Sequence, residues 1–276
     1  ASLYQINLLI GTILASLLAD GAVSYLYYAD RVTQLPLGVV GVAVGTALLP
    51  TLSRQLAAKD GGAAIASQNR GLELALLLTL PAMAALIAMP EPLIRVLFER
   101  GAFDAHAVSA TSAALIAYAT GLPAYVLIKV LTPGFFARED TRTPVRIAVF
   151  AMLANIIMNL IFMRYWGHVG IAYASSLSAW ANALVLGVLL NRRGELILDA
   201  RLLSQSLRAF FASFGMGAVL YMCVYTFGNV LFGGSINQWV GLTVLVVGGL
   251  GVYVVLVVLF GAAKLVDVRR LLKHKG

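Results

Sequence analysis

The sequence predicts an all-α polytopic membrane protein with eight transmembrane helices, and three observations carry that expectation. The first is composition. Of 276 residues, 61% are hydrophobic and only 12% charged, with a mean hydropathy of +0.90. A soluble domain carries about 25% charged residues, and no soluble core hides this much apolar surface, so lipid is the solvent. The second is the recurrence of charge-free runs about as long as a bilayer is thick. The third is the alternation of basic-rich and basic-poor segments between those runs.

A helix needs about 20 apolar residues to cross a bilayer. Residues 1–19 form the first span. The chain opens without Met, without a basic n-region and without a small-residue cleavage site, so no signal peptide is read there. The start is expected to cut through, or just before, a membrane helix of a longer protein. The second span is 33–53, where Gly41 and Gly45 form a GxxxG pattern that allows close helix approach, and Pro50 ends it. The polar stretch 51–71, with Gly61-Gly62, reads as an interfacial helix plus a turn. The third span is 74–90. The fourth, 105–137, is expected to break at Gly121-Leu-Pro123 and again at Pro133-Gly134. Spans five and six are 147–163 and 165–191. The last run, 209–263, would reach roughly 80 Å as one helix, so it must fold back, at Gly228-Asn229 and Gly233-Gly234-Ser235. Before it, 194–208 is amphipathic and expected on the cytoplasmic surface as a linker. A basic tail, 264–276, follows.

An even number of spans puts both ends on one side, and Lys and Arg choose the side. Of twenty, fifteen follow the even-numbered spans, including Arg54, Lys59, Arg70, Arg138, Arg142, Arg146, Arg192 and Arg193. Only Arg31, Arg95, Arg100 and Arg164 fall in the opposite segments. Both ends are therefore expected in the cytoplasm.

Several classes of function are excluded. The net charge of +8 is dispersed between apolar runs rather than gathered in one stripe, so nucleic acid is not expected. Cys223 is alone, and His106, His168 and His274 lack ligand spacing, so no metal site is expected. The twelve acidic residues lie almost entirely in loops, with no pair at membrane depth for acid–base work, and no P-loop is present. An enzyme and a cofactor are both unexpected.

The candidate site residues are the charges left near or within spans. Lys129 is the only formal charge in the 33 residues 105–137. Even lenient scales put a lysine near a helix centre at roughly 2.5–3.5 kcal/mol, so it either faces a cavity or ligand or snorkels toward the Arg138 end. Arg31, with Asp30 beside it, reads either as an anion-binding guanidinium or as part of an aromatic belt with Tyr25, Tyr27 and Tyr28. Asn155 and Asn159, one turn apart, and Ser175 and Ser176 read as interhelical hydrogen-bonding groups, with a monovalent cation site at Asn155, Asn159 and Ser175 as the alternative.

Three ungapped segments resemble the MurJ (MviN) lipid II flippase family: 27–53, from Tyr-Tyr-Ala-Asp-Arg31 to Pro50-Thr-Leu-Ser53; 97–104, Leu-Phe-Glu-Arg-Gly-Ala-Phe-Asp; and 116–145, through Lys129 to Pro144-Val145. The resemblance implies a fourteen-helix transporter of the multidrug and oligosaccharidyl-lipid exporter superfamily, of which this chain matches helices seven to fourteen. It implies a second six-helix lobe over 1–193 and a C-terminal hairpin over 209–263 that forms a groove for a lipid tail. It also implies a bacterial inner-membrane location, an absent N-terminal lobe as partner, and lipid II and membrane lipids as ligands. The family's cavity cations fall on Arg31 and Lys129, with Asp30 orienting Arg31. A monovalent counter-ion is a further possible partner. Another polyprenyl-linked oligosaccharide, a drug, or a non-transporting scaffold role are the alternatives.

Overall fold

A computed structural model describes residues 2–232 and 238–261, and every described element is helical. The helices are α1 (Ser2–Ser16), α2 (Ala22–Ala57), α3 (Gly61–Ala88), α4 (Pro90–Phe98), α5 (Ala105–Ala119), α6 (Leu122–Phe136), α7 (Arg142–Arg192), α8 (Ala200–Phe232) and α9 (Gln238–Leu259). The turn at 233–237 and the basic tail 264–276 lie outside the described residues.

Aspartates start four of these helices, which explains why the few carboxylates sit between spans. Asp60 accepts from the Ala63 N–H at 2.9 Å, Asp104 from Ala107 at 2.9 Å, Asp140 from Thr143 at 3.0 Å and Asp199 from Leu202 at 2.7 Å. Each satisfies a backbone donor that the first helical turn leaves open. Prolines mark two other starts: Pro90 opens α4 and Pro123 lies in the first turn of α6.

α7 is a hairpin and not a rod. At 51 residues a straight helix would be about 76 Å long. Instead Gly167 takes φ 53°, ψ −132°, and the chain reverses there. Ser178 Oγ donates to the Ala151 carbonyl at 2.6 Å, though the two would stand about 40 Å apart along one helix. The two arms, 142–166 and 168–192, correspond to the fifth and sixth expected spans.

Four expectations change. Pro50 lies inside α2, which runs on to Ala57, and does not end it. Pro133 lies inside α6 without ending it, so the helix near Lys129 breaks once, at Thr120-Gly121, where α5 stops and α6 begins. The polar stretch 51–71 is not an interfacial helix: it is the end of α2, a tight turn at 58–60 and the start of α3. The second half of the 194–208 linker belongs to α8, which runs on from Ala200.

Among the described residues, five segments are long and apolar enough to cross a membrane: 61–88, 105–136, the folded 142–192, 200–228 and 238–259. The surface agrees with lipid as solvent. On the first arm of α7, Phe150, Leu153, Ile157, Leu160 and Ile161 are all exposed. This stripe is bracketed by the exposed Arg146 and Arg164, which are about 27 Å apart along the helix and so match a hydrocarbon core of about 30 Å. Tyr165 and Trp166 sit exposed beside Arg164, as interfacial aromatics do.

Two of the four apolar clusters among the described residues hold the lobe, together with polar groups that reach across helices. One cluster joins α2, α3, α6 and the second arm of α7 through Leu48, Leu52, Leu72, Val126, Val130 and Leu186. The other joins α2, α5 and the hairpin elbow through Ala29, Val32, Val108, Leu115 and Ile171. α3 also carries the α8–α9 pair, where Tyr253 Oη donates to the Leu77 carbonyl at 2.6 Å.

Candidate functional site

Arg31 stands on an exposed strip of α2 together with Tyr27, Leu35 and Val39, the last 75% exposed. Its guanidinium carbon lies 4.8 Å from the centre of the Tyr27 ring. Its Nη1 donates to Gln34 Oε1 at 3.3 Å, and Gln34 Nε2 in turn donates to Asp30 Oδ2. These partners are three and four residues apart, the separations that meet on one helix face. Gln34 bridges Asp30 and Arg31, and no contact ion pair joins them among the described residues. The three tyrosines of the expected belt part company. Tyr28 turns inward onto Phe98 and Phe103, Tyr25 lies between His106 and His168, and Tyr27 alone supports the arginine.

Lys129 comes from α6 and lies across α2. A β-carbon placed on Gly41 would sit 2.6 Å from Lys129 Cδ and 2.9 Å from its Nζ, so the lysine stem rests on the bare backbone of that glycine. The direction matters. Val130, the next residue, is level with Leu48, since both meet the same point over Gly71 at 3.2 Å. The lysine tip therefore lies nearer the start of α2 than the helix it grows from. Helical side chains lean toward their own N-terminus, and this one does. It leans away from Arg138, not toward it as snorkelling to that end would require. Lys129 is exposed and has no acidic partner among the described residues.

Arg31 and Gly41 are about 15 Å apart along α2. Arg31 of α2 and Lys129, laid on α2 by α6, both lack an ion pair among the described residues, as does Arg54 in the last turn of α2. By contrast, Arg70, Arg138 and Arg193 near the helix ends are paired with Glu73 and Asp199, Glu195, and Asp140. Arg31 lies on the exposed face of α2 and Lys129 is itself exposed above the buried Gly41, so both cations are open to an extended anion.

The third candidate set divides. Asn159 Nδ2 donates to Asn155 Oδ1 at 3.0 Å, and both residues are 1% exposed. Asn155 Nδ2 and Asn159 Oδ1 remain buried without a hydrogen-bonding partner. Ser175 does not join them; it donates to Ile171 in its own helix at 3.1 Å. The interhelical bond belongs to Ser176, which donates to the Ala117 carbonyl at 2.7 Å, with Gly121 packed directly against its backbone. Gln34 and Gly41 carry weight that the sequence reading missed. Gln34 had a legible signal, its spacing from Asp30 and Arg31; Gly41 was legible as the first glycine of a close-approach pattern, but not its partner, which is 88 positions away.

Comparison with known proteins settles the family. The family model for the lipid II flippase MurJ matches residues 1–241. The chain belongs to the MurJ lipid II flippase family. Among curated MurJ relatives, a probable lipid II flippase of Rhizobium tropici is 41% identical over 98% of this chain, and one of Rhizobium meliloti (strain 1021) is 43% identical over 98%. The chain spans about half the length of these relatives, 51% of each. A solved MurJ structure in an inward closed conformation superposes with a TM-score of 0.78 at 29% identity, covering 94% of this chain and 51% of that one. An outward-facing multidrug MATE transporter of the MOP superfamily gives 0.64 at 17% identity and covers 93% of this chain, which shows a shared fold. The chain is thus an all-α, multi-pass membrane protein of a transporter family.

Proposed function

We propose that this chain is one half of a flippase that moves lipid II from the cytoplasmic to the outer leaflet by alternating access against an N-terminal six-helix lobe. The reading takes α1, α2, α3, the α5–α6 pair, the two arms of α7, α8 and α9 as eight crossings, with both ends in the cytoplasm of a bacterial inner membrane. Residues 1–193 form the lobe, 194–199 the connection into α8, whose first turns lie at the surface, 209–263 the hairpin that takes the lipid tail and 264–276 a basic cytoplasmic tail. Lipid II joins a pyrophosphate and a sugar–peptide head to a long apolar tail. Arg31 and Lys129 would meet the anionic head in an open cavity while the tail stays in lipid. An inside-negative potential favours outward movement of each negative charge by roughly 2.3 kcal/mol per 100 mV, so no ATP site is needed on this chain.

One observation carries the reading: the Lys129 ammonium is spread along α2 at helix depth, unpaired, with its stem seated on Gly41. A lysine kept there for packing would be expected to point to the nearer helix end. The buried Asn155–Asn159 pair is proposed as a packing contact within the first arm of α7 rather than a counter-ion site, since no carboxylate is bonded to it. The test is Lys129→Ala in the full-length protein, with lipid II exposure on the outer surface as readout. A loss of about tenfold or more is expected, the scale of one charge-assisted contact. Unchanged exposure would refute the role and favour a scaffold.

A further inference from the structure

We infer that Gly41 is a positioning residue for Lys129: its missing side chain is the seat that holds the ammonium on the Arg31-bearing helix. This rests on the reading of Lys129 as a cation for the substrate head. Gly41 is buried, and what covers it is the lysine. A β-carbon there would come within 2.6 Å of Cδ, 2.9 Å of Nζ and 3.3 Å of Cε, and no other atom ranks among its three nearest. These are the far atoms of a flexible side chain, not backbone. A methyl group at 41 therefore leaves the helices where they are and evicts the lysine tip. Contrast Gly121, where a β-carbon would meet the Ser176 Cα at 2.9 Å and force two helices apart. The two glycines sit in similarly packed helices, yet one spaces backbones and the other seats a charge.

Without the seat the stem loses its apolar contact with α2, and the ammonium is free to swing toward the Arg138 end of α6. The 15 Å relation to Arg31 along α2 is then lost. A displacement of about 1 Å in a positioned group can cost up to a hundredfold, so the effect is readable.

The experiment compares Gly41→Ala, Lys129→Ala and the double variant in the full-length protein, reconstituted in vesicles with lipid II. Reactivity of Lys129 toward an amine-directed reagent is followed in parallel by mass spectrometry. Gly41→Ala is expected to keep its folded yield, lose about tenfold or more in flipping, and label faster at Lys129. The double variant is expected to match Lys129→Ala alone, because the glycine acts only through the lysine. Flipping at the parental rate in Gly41→Ala while Lys129→Ala is impaired overturns the inference and leaves the function standing. A double variant that loses the product of both single effects also overturns it, since the glycine then acts on its own. If Lys129→Ala flips normally, the proposed function fails first and this inference with it. Should Gly41→Ala lower the folded yield, adding Lys129→Ala decides: recovery places the clash on the lysine, and no recovery refutes it.

Discussion

Asp140 joins the end of α6 to both arms of α7. Its carboxylate accepts from the Thr143 hydroxyl at 2.7 Å and the Thr143 N–H at 3.0 Å, and from Arg193 Nη1 at 2.7 Å. The Thr143 hydroxyl, then Arg193, hold its pKa well below the usual carboxylate range. The folded-state value being depressed, its contribution to stability is complete above about pH 4, the unfolded value, and is lost as pH falls below that. Asp140→Asn should therefore lower the melting temperature of detergent-solubilised protein at pH 7 by a small margin, the site being open to solvent. The gap to the parent should close as the pH is taken below about 4. A gap that widens with acid would contradict the assignment.

Among the elements, the α7 hairpin depends most on one residue. Gly167 occupies φ 53°, ψ −132°, a region that L side chains avoid. Gly167→Ala should cost about 1–3 kcal/mol of stability from backbone strain alone, because nothing within 4 Å obstructs the new methyl. Gly187 is the control. It lies in regular helix with its nearest neighbour, Leu131 Cδ1, at 3.9 Å, so Gly187→Ala should be neutral or stabilise by about 0.5–1 kcal/mol. Thermal unfolding in detergent separates the two, and equal effects would refute the strain argument. The elbow was legible in the sequence only as a boundary between two apolar runs near Arg164. That it is made by a left-handed glycine could not be read, since Gly170 stands three residues on and no proline marks the turn.

At the scale of the molecule, α3 holds the lobe and the C-terminal pair together. Its apolar length packs on α2 and α6 on one side and on α8 on the other. Asn69 donates to the Ile197 carbonyl at 2.7 Å, Arg70 pairs with Glu73 and Asp199, and Tyr253 of α9 reaches Leu77. Removing the last bond with Tyr253→Phe should cost about 0.6–1.7 kcal/mol, the range for hydrogen bonds inside membrane proteins. Faster proteolysis between α8 and α9 would report it, and unchanged protection would show that packing alone suffices.

The sequence by itself determined the solvent, the number of apolar runs and the identity of the lone cations, because these follow from composition and from neighbours a few residues apart. It also carried the family, through ungapped motifs around Arg31 and Lys129. Whether Pro133 breaks α6 was not decidable locally, since a membrane helix absorbs a proline when its neighbours satisfy the freed carbonyl. Nor was the direction of Lys129, or that Ser176 and not Ser175 crosses to α5. These were decided by tertiary structure alone. Where a side chain points in a bundle is set by what stands opposite, and the residue opposite Lys129 is a glycine on another helix.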